Sequence, residues 1–370
     1  MEIERERSAS SDAIGYFNFA KGVGIIGVLL GHSIMLLYPL AFTDKPFGNM
    51  SSILGGGFMA MFFMISGYGF HSRRMKKCVK TQVKLLLIPY WITVVCVIGA
   101  KLVLAFLHQR SFWQYGGQYI FSYLFAVNRG VDGGYSGTIL GLKVDNVAML
   151  WFFWALFGGW IIYNAITKIK SSRLQYFLVV ACICISIGMT YMSKIWPFVF
   201  PQMLQAVGFL CAGHVIREQR LLEQRLSPVW YIGAGGLATV SIIWGGADMY
   251  TCVWKLGLLD YVGIASIGFL YMRFFAWFAE KRKWQTVYNF ISNIGTHTQL
   301  ILCIHAFDEK VIPWSRLEPF FEGRYWLGCI GYFVIRCAFV FCAYKVICFI
   351  ETNFLRKRRR KRARIQLNIE

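Results

Sequence analysis

Charge is what this sequence has little of. Only 15% of its 370 residues are Asp, Glu, Lys or Arg, while 57% are hydrophobic; a soluble domain of this length carries about a quarter charged residues. The deficit lies in long uninterrupted stretches. Residues 14–38 hold one charge, Lys21, and residues 85–100 and 174–193 hold none. Runs of about 20 apolar residues span a hydrocarbon core, whereas a soluble core helix of that length keeps a polar face. Soluble-enzyme motifs are missing too. No Walker A, GxSxG or HExxH pattern occurs, and the glycines of residues 22–31 follow no strand, so they do not form a dinucleotide motif. The eleven cysteines fall mostly inside apolar segments, without zinc-ligand spacing in a polar loop, and read as buried thiols rather than disulfides or ligands. No metal is expected. No cleavable leader is expected either, because the first twelve residues are polar and of mixed charge and the first apolar run flows into a second.

What charge there is has one sign. The net charge is +21, and its distribution decides between nucleic acid and membrane topology. Helices are expected at roughly 15–38, 52–71, 84–107, 146–165, 174–193, 196–215, 229–246, 252–272, 287–309 and 325–350. Basic clusters then fall on alternate connections: Arg73 to Lys84 after the second helix, Lys168 to Arg173 after the fourth, Arg217 to Arg225 after the sixth, Arg273 to Lys283 after the eighth, and 356–364 after the tenth. Cytoplasmic connections carry the Lys and Arg excess. The expectation is an all-α integral membrane protein, a bundle of about ten transmembrane helices with both termini cytoplasmic. Residues 1–14 form a cytoplasmic segment, 15–350 the membrane domain and 351–370 a basic cytoplasmic tail attracted to anionic lipid rather than nucleic acid. The longest connection on the opposite side, about 108–145, offers Asp132 and Asp145 as sugar-hydroxyl acceptors or as plain solvated acids.

Ionisable residues inside the membrane are costly and mark functional paths. Lys21 and His32 stand eleven residues apart on one helix, which places them on nearly one face, about 16 Å apart along the axis. Each has an ordinary reading as well: Lys21 snorkelling to an interface, His32 in an interhelical hydrogen bond. His305 falls in the half of its helix matching the depth of His32. His71, His108 and His214 sit near helix ends, where capping or solvation suffices. Arg73, Arg74, Lys76 and Lys77 follow Ser66-Gly67-Tyr68 and suit an anionic phosphate ligand, or simply positive-inside topology.

Taken in order, these segments resemble the membrane-bound acyltransferase family 3, within it the fucose 4-O-acetylase-like group. The resemblance rests on Lys21 and His32 with ten residues between them, Phe62-Phe-Met-Ile-Ser-Gly-Tyr68, the basic run 73–77, Lys84-Leu-Leu-Leu-Ile-Pro-Tyr-Trp91, Leu150-Trp-Phe152 and Cys303-Ile-His305. At 73–77 the family often has Arg-x-x-Arg, and Lys replaces the second Arg here. The resemblance implies transfer of an acyl group, usually acetyl, from cytoplasmic acyl-CoA to a hydroxyl of an extracytoplasmic carbohydrate or glycan, in a multi-pass protein of the bacterial cytoplasmic membrane. It makes His32 the catalytic histidine. It assigns Lys21, Arg73, Arg74, Lys76 and Lys77 to the donor, and Ser66, Tyr68, Trp151 and His305 to the substrate path. A transporter or flippase for a polar or lipid-linked solute is the rival reading, though no internal repeat is visible; a membrane scaffold or sensor is the other.

Overall fold

The computed structural model describes residues 2–37, 52–109, 118–127, 136–139, 142–192, 196–281, 284–322 and 324–367. Asp132 lies outside them. Among the described residues the named elements are helices apart from one antiparallel hairpin in the 108–145 connection. The chain runs through α1 (Glu2–Leu37), then a π-helical turn (Ser52–Gly57) into α2 (Phe58–Tyr68), and α3 (Met75–Gln82), which continues through a second π-helical turn into α4 (Ile88–Leu107). α5 (Gln118–Leu124) precedes the hairpin of β1 (Ser136–Ile139) and β2 (Leu142–Asp145). Then follow α6 (Trp151–Ile166), α7 (Ser172–Thr190), α8 (Phe200–Glu218), α9 (Pro228–Ile243), α10 (Leu258–Glu280), α11 (Gln285–Thr296), α12 (Thr298–Val311) and α13 (Tyr325–Leu367).

Among the described residues, seven helices are long and apolar enough to cross a membrane, including Gly15–Leu36, Met75–Leu107, Leu258–Glu280 and Trp326–Asn353. Two further apolar helices, Ile53–Tyr68 and Pro228–Ile243, are shorter. At 1.5 Å per residue each is about 24 Å long, less than the roughly 30 Å of a hydrocarbon core. The segment expected as one helix over 287–309 is two: α11 and α12 meet at His297, whose backbone leaves the helical region. The segment expected from 252 begins at Leu258. Before it, Asp248 and Val253 pair in a tight turn, Gly257 takes a positive φ of 60°, and the Asp260 carboxylate accepts the Leu256 N–H at 2.8 Å. That carboxylate satisfies a backbone donor that the helix start leaves over. The last helix does not stop at 350 but continues through the basic residues to Leu367.

The outside of the bundle is apolar. Phe106 is 83% exposed and Val95, Ile232 and Phe349 are more than two-thirds exposed, a surface that suits lipid and not water. Inside, Phe63, Phe209, Tyr261 and Trp254 form part of one continuous core. Small residues bring helices close there: a β-carbon at Gly213 would collide with the Met64 carbonyl oxygen, and one at Gly295 with that of Asn18.

Side-chain contacts fix the relative directions of the helices. α2 runs against α1, with Phe58 beside Gly27, Phe62 beside Gly24 and Tyr68 against Phe17. α11 and α12 run along α1 in the same sense: Tyr288 lies beside Gly15, Ile291 against Gly22, and His305 faces His32. α6 and α8 share a direction, since Gly158, Gly159 and Tyr163 meet Met203, Ala206 and His214 in order. α13 runs against α12, joining Arg336 to Asp308 and Tyr344 to His297.

Candidate active site

Two polar centres stand at opposite ends of the apolar stretch of α1, Gly15–Leu36. Phe17, near one end, packs on Tyr68, the last residue of α2, just before the basic run; His32 lies fifteen residues further along, about 22 Å away.

At the His32 end, the His32 Nδ1 atom is 3.2 Å from Glu309 Oε2, and the His32 and His305 rings meet edge to face with centroids 5.4 Å apart. The depth match expected for the two histidines is therefore a contact. His305 is fully buried, with Nδ1 2.9 Å from Asp308 Oδ2. Asp308 is the hub of the cluster. Its Oδ1 accepts Trp314 Nε1 at 3.1 Å and Arg336 Nε and Nη2 at 3.1 and 2.6 Å. The Arg336 guanidinium lies over the Trp314 ring, whose backbone carbonyl accepts the Tyr332 hydroxyl. Asp308, His305 and Arg336 are all fully buried. Ions without water need paired, hydrogen-bonded partners, and this group supplies most of them internally, leaving His305 Nε2 and Arg336 Nη1 without one.

Sequence reasoning flagged His32 and His305 but missed Asp308, Glu309, Trp314 and Arg336. Signals were present. Residues three and four after His305 share its helix face, and Asp308 and Glu309 occupy those positions. Arg336 interrupts the apolar run 325–350, an intramembrane charge of the kind that marks function.

At the other end, Asn164 of α6 holds the chain before α3. Its Oδ1 accepts the Arg73 N–H at 2.8 Å and its Nδ2 donates to the Arg73 carbonyl at 3.1 Å. Arg217, expected only as a topology charge, donates through Nη1 to the carbonyls of Tyr68, at 2.9 Å, and Phe70. It thereby closes the C-terminal end of α2. Arg74, Lys76 and Lys77 are exposed and Arg73 half-buried. Among the described residues their side chains form no hydrogen bond or ion pair. Lys76 and Lys77 lie in the first turn of α3, where the helix dipole is already positive. Cations there are slightly disfavoured by the dipole, and an anion beside them would be held by both the lysines and the helix start. Nearby, partial burial, then the Arg217 and Arg73 guanidiniums, push the His71 pKa below its ordinary value.

The remaining expected residues have structural partners. Ser66 Oγ accepts Trp160 Nε1 at 2.8 Å. Trp151 is buried against Phe63, Phe152 and Tyr250. Lys21 is half-buried between the two centres and makes no hydrogen bond or ion pair among the described residues. His214, expected to be solvated or capping, joins Tyr163 and Glu218.

A family model described as an acyltransferase domain, Acyl_transf_3, matches residues 14–345. The chain belongs to membrane acyltransferase family 3. The match takes in both centres, α1 from residue 14 onward and every helix from α2 to α12, so the resemblance read from five short stretches holds over the length of the bundle. No curated protein and no solved structure matches the chain. Membership makes this an integral membrane acyltransferase. The donor, acyl group and acceptor are finer questions.

Proposed function

We propose that this acyltransferase moves an acyl group, acetyl in the first instance, from cytoplasmic acyl-CoA to a hydroxyl of an extracytoplasmic carbohydrate or glycan. The observation that carries this reading is the pairing of His32 with the Glu309 carboxylate, about 22 Å along α1 from a basic mouth whose side chains make no bond among the described residues. In this reading the CoA phosphates sit on Arg73, Arg74, Lys76 and Lys77 at the start of α3. The pantetheine arm passes Lys21 and brings the thioester to His32. The His32 imidazole takes the proton of the acceptor hydroxyl while its oxygen attacks the thioester carbon. The C–S bond breaks, and the proton returns from His32 to the CoA thiolate. Glu309 stabilises the imidazolium that exists between those two transfers. Asp308 and Arg336 hold His305 beside it.

The topology required is ten spans with both termini cytoplasmic: residues 1–14 and 351–370 inside, and 15–350 as the membrane domain, in a bacterial cytoplasmic membrane. The helix directions support it. The segment α11–α12 parallels α1, as the ninth span must parallel the first, and α6 parallels α8, as the fourth must the sixth. The short helices α2 and α9 then cross with polar flanks at both ends or with local bilayer thinning.

The test uses membranes supplied with radiolabelled acetyl-CoA, scored by label in extractable glycan. His32→Ala should lower transfer by about 10²–10⁴-fold, the usual contribution of a general base, with unchanged membrane insertion. Glu309→Gln should give a smaller loss in the same direction. Near-normal transfer by His32→Ala would rule out this role.

A further inference from the structure

The cluster at the His32 end holds more polar atoms than its internal bonds use. His32, His305 and Glu309 each offer one ligand atom, and the three atoms lie within 4.8 Å of one another. His305 has Nδ1 engaged by Asp308, which leaves Nε2 fully buried without a hydrogen-bond partner. Glu309 Oε2 also lacks one: it stands 3.2 Å from His32 Nδ1 without hydrogen-bonding geometry. Side-by-side placement without a shared proton is the arrangement of two ligands around a third atom. Tetrahedral coordination with bonds of 2.0–2.1 Å puts ligand atoms about 3.4 Å apart, close to the 3.2 Å between His32 Nδ1 and Glu309 Oε2. Buried polar atoms without partners otherwise need a water or ion to explain them.

The donor set names the ion. Two imidazoles and a carboxylate suit zinc-class divalent ions; magnesium and calcium prefer all-oxygen sets. A histidine whose second nitrogen is held by a carboxylate, as Asp308 holds His305, is the usual outer arrangement around a bound metal. One feature opposes tight binding. The Arg336 Nη2 atom is 3.8 Å from Glu309 Oε2, so a cation must share that carboxylate with a guanidinium.

We propose that His32, His305 and Glu309 form a reversible zinc-class site, and that an ion bound there silences acyl transfer. Neutral imidazole has one lone pair. An ion on one nitrogen of His32 leaves a proton on the other, and the ring has nothing left with which to accept the proton of a hydroxyl. The binding half stands on geometry alone; the silencing half rests on the acyl-transfer reading of the same site.

The experiment dialyses the purified full-length protein in detergent against Zn²⁺ and counts bound metal by mass spectrometry, with Co²⁺ as a visible-absorption probe and Mg²⁺ as competitor. The wild type should bind one zinc ion that Mg²⁺ does not displace. His305→Gln and Glu309→Gln should weaken binding roughly 100-fold, the upper range for disturbed metal sites. His214→Ala, which removes the other histidine–carboxylate pair, should keep it. A wild type that holds no zinc overturns the proposal, as does zinc retained in both ligand variants. In the transfer assay, zinc should inhibit over its binding range and EDTA should restore the rate. Zinc binding with undiminished transfer overturns the silencing half. Zinc binding in a protein that transfers nothing, with or without EDTA, leaves the site standing and removes the acyl-transfer reading instead.

Discussion

Asp308 bears the heaviest electrostatic load of any single residue. Four donors converge on it, from His305, Trp314 and two nitrogens of Arg336. Removing one partner of a buried ion pair leaves an uncompensated charge and costs about 3–5 kcal/mol. Asp308→Ala should therefore destabilise the protein by about that much, seen as a lower melting temperature in detergent. Asp308→Asn keeps an acceptor for Trp314 and should cost less. Equal melting temperatures for wild type and Asp308→Ala would mean the network carries no stability. His32 and His305 were legible in the sequence because ionisable groups stand out in apolar helices and helix rise gives their depth. The acids were not, because Asp308 and Glu309 sit at the end of an apolar run, where a solvated helix terminus is the ordinary reading. Only the chain turn through Trp314 and the return of α13 bury Asp308. Ser66 and Trp151 show the converse. Their motif resemblance is real, yet their contacts are with Trp160 and with the aromatic core.

Elements explain how the basic mouth keeps its shape. The segment between α2 and α3 has no regular structure, so its backbone must be satisfied from outside. Asn164 on α6 does this for Arg73, and Arg217 on α8 does it for Tyr68 and Phe70. Two helices thus fix one loop, and with it the direction in which α3 presents Lys76 and Lys77. Removing a net contribution of about 1 kcal/mol corresponds to about fivefold in binding. Asn164→Ala should raise the acyl-CoA concentration for half-maximal transfer about fivefold and leave the maximal rate and the acceptor dependence nearly unchanged. An equal effect on both substrates would place Asn164 in general stability instead. The helices themselves were legible as long apolar runs, most with ends good to a few residues, though α10 begins and ends later than expected and α13 runs on to Leu367. The break at His297 was not. Residues on both sides of it are apolar at helical spacing, and the change of direction is set by the packing of α11 on α1 through Gly295, a contact between segments almost three hundred residues apart.

For the whole molecule, the proposed chemistry needs the two centres to face different sides. Neither the histidine cluster nor the basic mouth says which way the bundle sits; the distribution of charge does. Lys and Arg concentrate after every second expected span, and the last of these clusters is the run 356–364, carried on α13, which continues unbroken to Leu367. Positive residues near span ends are retained on the cytoplasmic side, so an even number of spans puts both termini there. Helix directions give the same parity without reference to charge, since α1 and α11–α12 are parallel and α13 returns against them. Reporter fusions should therefore read cytoplasmic at residue 1 and after residue 370, and extracytoplasmic within 108–145. Termini on opposite sides would mean that one of the short helices, α2 or α9, does not cross, and the basic mouth and His32 would then open to the same compartment. Truncation after Leu355 separates topology from chemistry. The candidate span ends at Asn353, so the shortened chain should insert with less certainty of orientation, while every correctly oriented molecule transfers acyl groups at the full rate. Loss of transfer from correctly oriented molecules would make the basic helix part of the donor site rather than an anchor.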